Sequence, residues 1–180
     1  MIRGPLSKDS YKGQFSGHET FPLRQLWLRK AYDAVTAEPE GAPKRIFLDA
    51  DSIITFGVGR NMVSSIRHWA LACGIIKDAG DRFVPTDLGK FIFEQDVGAD
   101  PYLESPATVW LLHWMVAGHE APARTTTWFY AFNNFASQNF DRVSLTAALQ
   151  ASIFGMAAAA TICYSNSNAR SFLCFFVDMS

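Results

Sequence analysis

Apolar and polar positions between Asp49 and Phe93 alternate in the order helix, glycine turn, helix, short hairpin, helix. The turn is Gly57-Val58-Gly59, and the second helix is predicted from about Arg60 to Cys73. The hairpin is predicted as Ile75-Ile76-Lys77-Asp78, a polar turn Ala79-Gly80-Asp81-Arg82, and Phe83-Val84-Pro85. The closing helix starts at Thr86-Asp87-Leu88-Gly89. In that order the elements compose a winged helix-turn-helix, a module that exists mainly to place one helix in a DNA groove.

The flanking pattern is helical. A helix is predicted from about Leu23 to Thr36, with Leu23, Leu26, Trp27, Lys30, Ala31, Ala34 and Val35 forming a largely apolar stripe. Glu38-Pro39-Glu40-Gly41-Ala42-Pro43 is a breaker cluster and is expected to be a surface loop. After an acidic loop over 94–104, Ser105-Pro106 marks a helix start: a capping side chain, then proline at the first helical position. The helix it opens, Pro106 to Ala117, is apolar on most sides and is expected to be the buried centre of the second half. Thr125 or Thr126 is expected to cap a helix through Phe135, and a last helix is expected from Ser144 to about Ser152. The expected fold is mostly α with a small β-hairpin wing: a loose start (1–14), a winged helix-turn-helix domain (15–95), a helical subdomain (96–152) and an atypical tail (153–180), expected to be the truncated end of a longer protein.

On a helical wheel, Met62, Ile66, Trp69 and Cys73 fall on one face of the second helix, with Val63 and Ala70 beside it. The opposite arc carries Arg60, Asn61, Ser64, Arg67 and His68, with Leu71 the one apolar intruder. Arginine pairs bidentately with guanine, asparagine with adenine, and serine with bases or phosphates. Arg60, Asn61 and Ser64, in the first turns, are the candidates for base contact, and Arg67 and His68 for phosphate positioning. Lys77 and Arg82 on the hairpin are candidates for the DNA backbone or a minor groove.

Charge tempers that reading. The 180-residue chain has a net charge of −1 and 49% apolar residues, including fifteen phenylalanines and five tryptophans. Residues 1–90 carry 13 Lys/Arg against 10 Asp/Glu, and residues 91–180 carry 3 against 7. Phosphate attraction therefore belongs to the N-terminal half and is modest. Cys73, Cys163 and Cys174 show neither paired metal spacing nor a disulfide framework. The polar start and the absence of a long apolar run predict a cytoplasmic protein that does not cross a membrane.

Few motifs point to catalysis. Gly57-Val58-Gly59 lacks both the third glycine of a dinucleotide loop and a following Gly-Lys-Ser/Thr. His18-Glu19 and His119-Glu120 start like metalloprotease motifs, but neither has the second histidine. No metal, cofactor or catalytic residue is expected. His113 reads as a core histidine. His18, Glu19 and Arg24 form a possible polar functional cluster beside Ser16, although capping of the first helix by Thr20 accounts for the segment about as well. Trp110, Trp114, Trp128, Phe129, Tyr130 and Phe132 have the residue types of a base-stacking platform, but their helical spacing favours core packing.

Several segments are similar, in order, to an uncharacterised bacterial family known as domain of unknown function 4007. They include Phe15 to Arg24, Gly57 to Val63 with Ser65-Ile66-Arg67 and Trp69, and Thr86-Asp87-Leu88-Gly89. Asp100 to Glu104, Ala107 to Trp114 and Thr126 to Asn133 complete the set. The resemblance covers roughly residues 15–135 and is expected to fade after about Val143, leaving a tail with only two charged residues, Arg170 and Asp178. The resemblance implies a soluble bacterial protein, usually longer than this chain. It also implies genes nearby for enzymes resembling phosphoadenosine-phosphosulfate reductase and cysteine desulfurase, and hence DNA sulfur modification (phosphorothioation) or a related defence system. Two functions follow as expectations. The first is an accessory protein that binds double-stranded DNA; the second is an adaptor that docks the reductase-like enzyme without touching DNA. An enzyme built on His18 and Glu19 is the weakest reading.

Overall fold

A computed structural model describes Leu6, Gln14 and residues 16–118, 125–137, 139 and 141–154. The described residues are mostly helical, with seven α-helices and one small antiparallel sheet. The first helix, α1 (Gln25–Thr36), buries Trp27, Leu28, Ala31, Tyr32 and Val35. The predicted stripe is thus rotated toward Leu28 and Tyr32. Leu26 is 53% exposed and Lys30 lies outside the core. Tyr32 accounts for the rotation, because its ring packs on Phe93 at 5.6 Å and its hydroxyl donates to Glu94 at 3.2 Å.

The breaker cluster after α1 is not only a loop. Ala42–Pro43 forms a short strand, β1, that pairs antiparallel with β3 (Arg82–Pro85), Ala42 opposite Phe83. Gly41 makes this approach possible. It sits at φ +85°, and a Cβ there would lie 2.4 Å from the Phe83 carbonyl oxygen. Pro43, which cannot donate, occupies an edge strand, since the sheet order is β1-β3-β2. The predicted hairpin is present as β2 (Ile76–Asp78) and β3, with Lys77 opposite Val84.

Between β1 and β2 lie a 3-10 turn (Lys44–Phe47), α2 (Ser52–Phe56) and α3 (Arg60–Ala72). Gly57 ends α2 in the left-handed region at φ 65°, its N–H returned to the Ile53 carbonyl. Gly59, in extended conformation, is the N-cap of α3. The glycine pair is therefore an inter-helix turn.

After the sheet, Thr86 caps α4 (Asp87–Phe93) by accepting from the Gly89 N–H at 2.9 Å, while its hydroxyl faces the Gly74 and Ile75 carbonyls. Asp100 organises the next turn by accepting from the N–H groups of Glu104 and Ser105 at 2.9 and 3.0 Å. Ser105 then caps α5 (Pro106–Ala117), as its sequence predicts.

The expectation that α5 is the buried centre of the second half, with Trp110 and Trp114 in the core, is corrected. Thr108, Leu112, Val116 and Ala117 are buried, but Trp110 and Trp114 are 66% and 70% exposed. A uniformly apolar helix carries no signal of which side is covered, and only one side packs on α6 (Thr126–Asn133). Thr125 precedes α6 without a side-chain capping bond. The last described helix, α7 (Arg142–Phe154), packs on α6 and is tied to it by Tyr130 and Ser152 hydroxyls 2.9 Å apart. It starts earlier than predicted because Asp141 and Ser144 bond reciprocally: the Ser144 N–H donates to the Asp141 carboxylate at 2.8 Å, and the Asp141 N–H to the Ser144 hydroxyl at 3.1 Å.

One continuous core joins the parts on either side of residue 95. Trp69 of α3 meets Trp128 of α6 edge-on at 5.9 Å, and Gln25 of α1 donates to the Tyr102 and Leu103 carbonyls at 2.8 Å. No described helix is long and apolar enough to cross a membrane.

Candidate nucleic-acid interface

The predicted reading helix has the expected inner face. Val63, Ile66, Trp69 and Ala70 of α3 are buried and Met62 is half-buried, so the helix is anchored through that side to α1 and α2. Arg60 and Asn61 are exposed, and Ser64 and Arg67 half-buried, on the opposite side. Arg60 and Arg67 are seven residues apart, so they fall on nearly the same azimuth about 10 Å apart along the axis.

His68 does not belong to this face. It is 5% exposed, and its ring lies edge-on to His18 and Trp69 at 5.6 and 5.3 Å. Gly17 presses on the same ring: a Cβ at Gly17 would sit 2.9 Å from the His68 Nδ1 atom. The wheel places His68 near the polar boundary, and the segment before α1 folds over that boundary and covers it. The expectation that His68 positions phosphate is corrected on this ground.

On the hairpin, Lys77 is exposed, whereas Arg82 is committed elsewhere. Its guanidinium donates to the Gly41 carbonyl at 2.8 Å and pairs with Glu38 at 3.4 Å, which ties β3 to the loop before β1. Asp78 pairs with Lys44 at 2.7 Å, so little net positive charge remains along the hairpin. The positive character of this region rests on α3 itself and on one residue absent from the predicted set. Lys30 of α1 donates to the Phe56 carbonyl at 2.8 Å, and its Nζ atom lies 3.9 Å from the Cβ position of Gly57. It stands beside the turn that precedes Arg60. Its spacing within the apolar stripe of α1 hid it in the sequence.

The predicted polar cluster His18, Glu19 and Arg24 is divided among three environments. His18 is buried and stacks on Trp69 at 6.2 Å. Glu19 is exposed at φ 47°, next to Thr20 at φ 67°, and Arg24 lies over the Trp27 ring at 5.6 Å. Thr20 caps nothing, since the N-cap of α1 is Arg24 and makes no side-chain bond. The segment instead fastens α3 from below, through Trp69 Nε1 donating to the Phe21 carbonyl at 3.1 Å.

Burial pushes the Cys73 thiol up to about 12, as suits a small core residue. His113 is half-buried against Phe132, its ring 4.5 Å away, and burial lowers its pKa. His119, Glu120, Cys163 and Cys174 lie outside the described residues.

These segments of sequence and structure are those of a known family. The chain belongs to the family described as protein of unknown function DUF4007, whose model matches residues 15–176. The expectation that the resemblance ends near Val143 is thereby overturned, and the weakly charged tail lies within the family match. Two solved structures are similar. One, the magnesium ion-bound SspB crystal structure, superposes with a TM-score of 0.72 at 28% identity, covering 96% of this chain and 50% of that one. The other, an SspB crystal structure, gives 0.73 at 29% identity, covering 90% and 49%. This chain thus spans about half the length of the solved relatives it matches. No curated protein matches. Among the described residues no group of three or more His, Cys, Asp or Glu side chains is placed to hold a metal ion.

Proposed function

We propose that this protein is a DNA-binding accessory protein of a bacterial DNA sulfur-modification or defence system, with α3 entering a groove of double-stranded DNA. The observation that carries the reading is the division of α3: an inner face locked into the core and an outer face presenting Arg60, Asn61, Ser64 and Arg67. The order α1-β1-α2-α3-β2-β3, with the β2-β3 hairpin directly after the glycine-linked helix pair and β1 added at its β3 edge, supports a winged helix-turn-helix. Arg60 and Asn61, at the N-terminal end of α3, take the base-contact role. Arg67, Lys30 and Lys77 take the phosphate role. His68 is withdrawn from the set by its burial, and Arg82 holds the sheet together.

The test is duplex binding across a salt series. Three phosphate contacts predict a slope of log Kobs against log salt of about −3, and Arg60→Ala/Arg67→Ala should weaken binding and, by removing one of the three, flatten that slope by about 1. Equal binding by both proteins, or a flat slope for the wild type, rejects the reading. Near-zero net charge and a half-buried Leu71 on α3 favour a second reading, an adaptor that docks a phosphoadenosine-phosphosulfate-reductase-like enzyme without touching DNA. Co-purification with that enzyme, with no shift of any duplex, selects it.

A further inference from the structure

We propose that Leu71 reads the C5 methyl group of a thymine in the major groove, which makes it a specificity-determining residue of the α3 surface. The inference rests on DNA binding by α3 and names what that helix recognises. Arg60, Ser64, Arg67 and Leu71 follow one another at intervals of four, three and four residues, so they form a single stripe along the helix. Val63 and Ala70 are fully buried on one flank of that stripe, and His68 is 5% exposed on the other. With His68 covered, the open side of α3 narrows to this stripe, and Leu71 lies close to its midline rather than at an edge.

The chemistry of the duplex selects the target. Phosphate oxygens offer a leucine side chain nothing, and the base edges of the major groove present hydrogen-bonding groups with one apolar exception, the thymine methyl. Arg60 and Arg67 suit guanine edges and phosphates, whereas a leucine in line with them suits a methyl group. Leu71 is half-buried and packs against the core, so its free side is held in place. Arg60 and Leu71 are separated by about 16 Å along the axis. At about 3.4 Å per base pair, this places the thymine about four or five base pairs from the base that Arg60 contacts.

The test uses this chain and a pool of duplexes randomised over one helical turn, from which the tightest-bound sequences are selected. They should share a thymine. Replacing it with deoxyuridine, which removes only the methyl, should weaken wild-type binding about fourfold, the effect of burying one group of that size. Leu71→Ala should bind the thymine and uracil duplexes alike, while Leu71→Met should keep the preference. The thymine–uracil comparison is made on the wild-type chain, so it stands whether or not a variant folds. Salt-dependent binding that is equally tight with thymine and uracil overturns the proposal and leaves DNA binding by α3 intact. A uracil effect that persists in folded Leu71→Ala overturns it too, by assigning the methyl contact to another residue. Failure to bind any duplex, or unchanged binding by Arg60→Ala/Arg67→Ala, overturns the underlying reading and this one with it.

Discussion

Gly89 shows how a single residue reports packing that its neighbours in sequence do not reveal. A Cβ at that position would lie 2.3 Å from the Ile75 carbonyl oxygen and 3.3 Å from the Tyr32 ring. Gly89→Ala should cost about 1–3 kcal/mol in urea denaturation, because the obstacle is backbone rather than a flexible side chain; a loss below about 0.5 kcal/mol would mean that α4 shifts freely. Asp100 gives a second prediction. Burial alone would raise its carboxyl, but hydrogen bonds from Thr108 and from backbone N–H groups outweigh burial and hold it below the ordinary carboxylate range. A depressed pKa contributes stability above the unfolded value and loses it as pH falls through the folded one. Asp100→Ala should therefore be destabilised by about 1–3 kcal/mol at pH 7, with the gap to wild type closing below about pH 4. A gap that stays constant down to pH 2 would rule out the ionised carboxylate as its source.

At the scale of elements, α3 separates two kinds of substitution. Ile66 is fully buried, and Ile66→Ala should cost about 2–5 kcal/mol in stability. Arg60→Ala, on the solvent side, should change stability by no more than about 0.5 kcal/mol while lowering DNA affinity. If both variants lose stability alike, the helix is not divided as described. The division was legible from the spacing of Val63, Ile66, Trp69 and Ala70, because a helix with one polar arc has only one way to face a core. In α5 the same method failed. Val109, Trp110, Leu111, Leu112, Trp114, Met115 and Val116 leave most sides of α5 apolar, and periodicity cannot say which of two apolar faces is covered. In α1 it failed by rotation, since Leu26 and Leu28 are equally apolar candidates and the partner, Phe93, arrives from more than sixty residues away.

The molecule as a whole is held by contacts that cross residue 95, among them Trp69 with Trp128, and the Gln14 N–H donating to the Thr126 hydroxyl at 3.0 Å. A shared core predicts one cooperative transition. Far-ultraviolet circular dichroism and tryptophan fluorescence should give coincident thermal curves. Two separate midpoints would show that the helices after residue 95 unfold on their own. The candidate DNA surface also depends on this scale. Lys30 joins Arg60 only because α1 lies beside the glycine turn, and His68 leaves it only because residues 16–21 close over α3.

Local physics written in the chain determined the helices, the hairpin, the glycine turn and the Thr86 and Ser105 caps. Each depends on residues within a few positions of one another. Tertiary structure alone decided that Ala42–Pro43 becomes a third strand, that Arg82 is spent on Gly41 and Glu38, that His68 is covered and that Trp110 and Trp114 stay open. All four depend on which distant segment reaches a given face first, and neither propensity nor spacing encodes that directly.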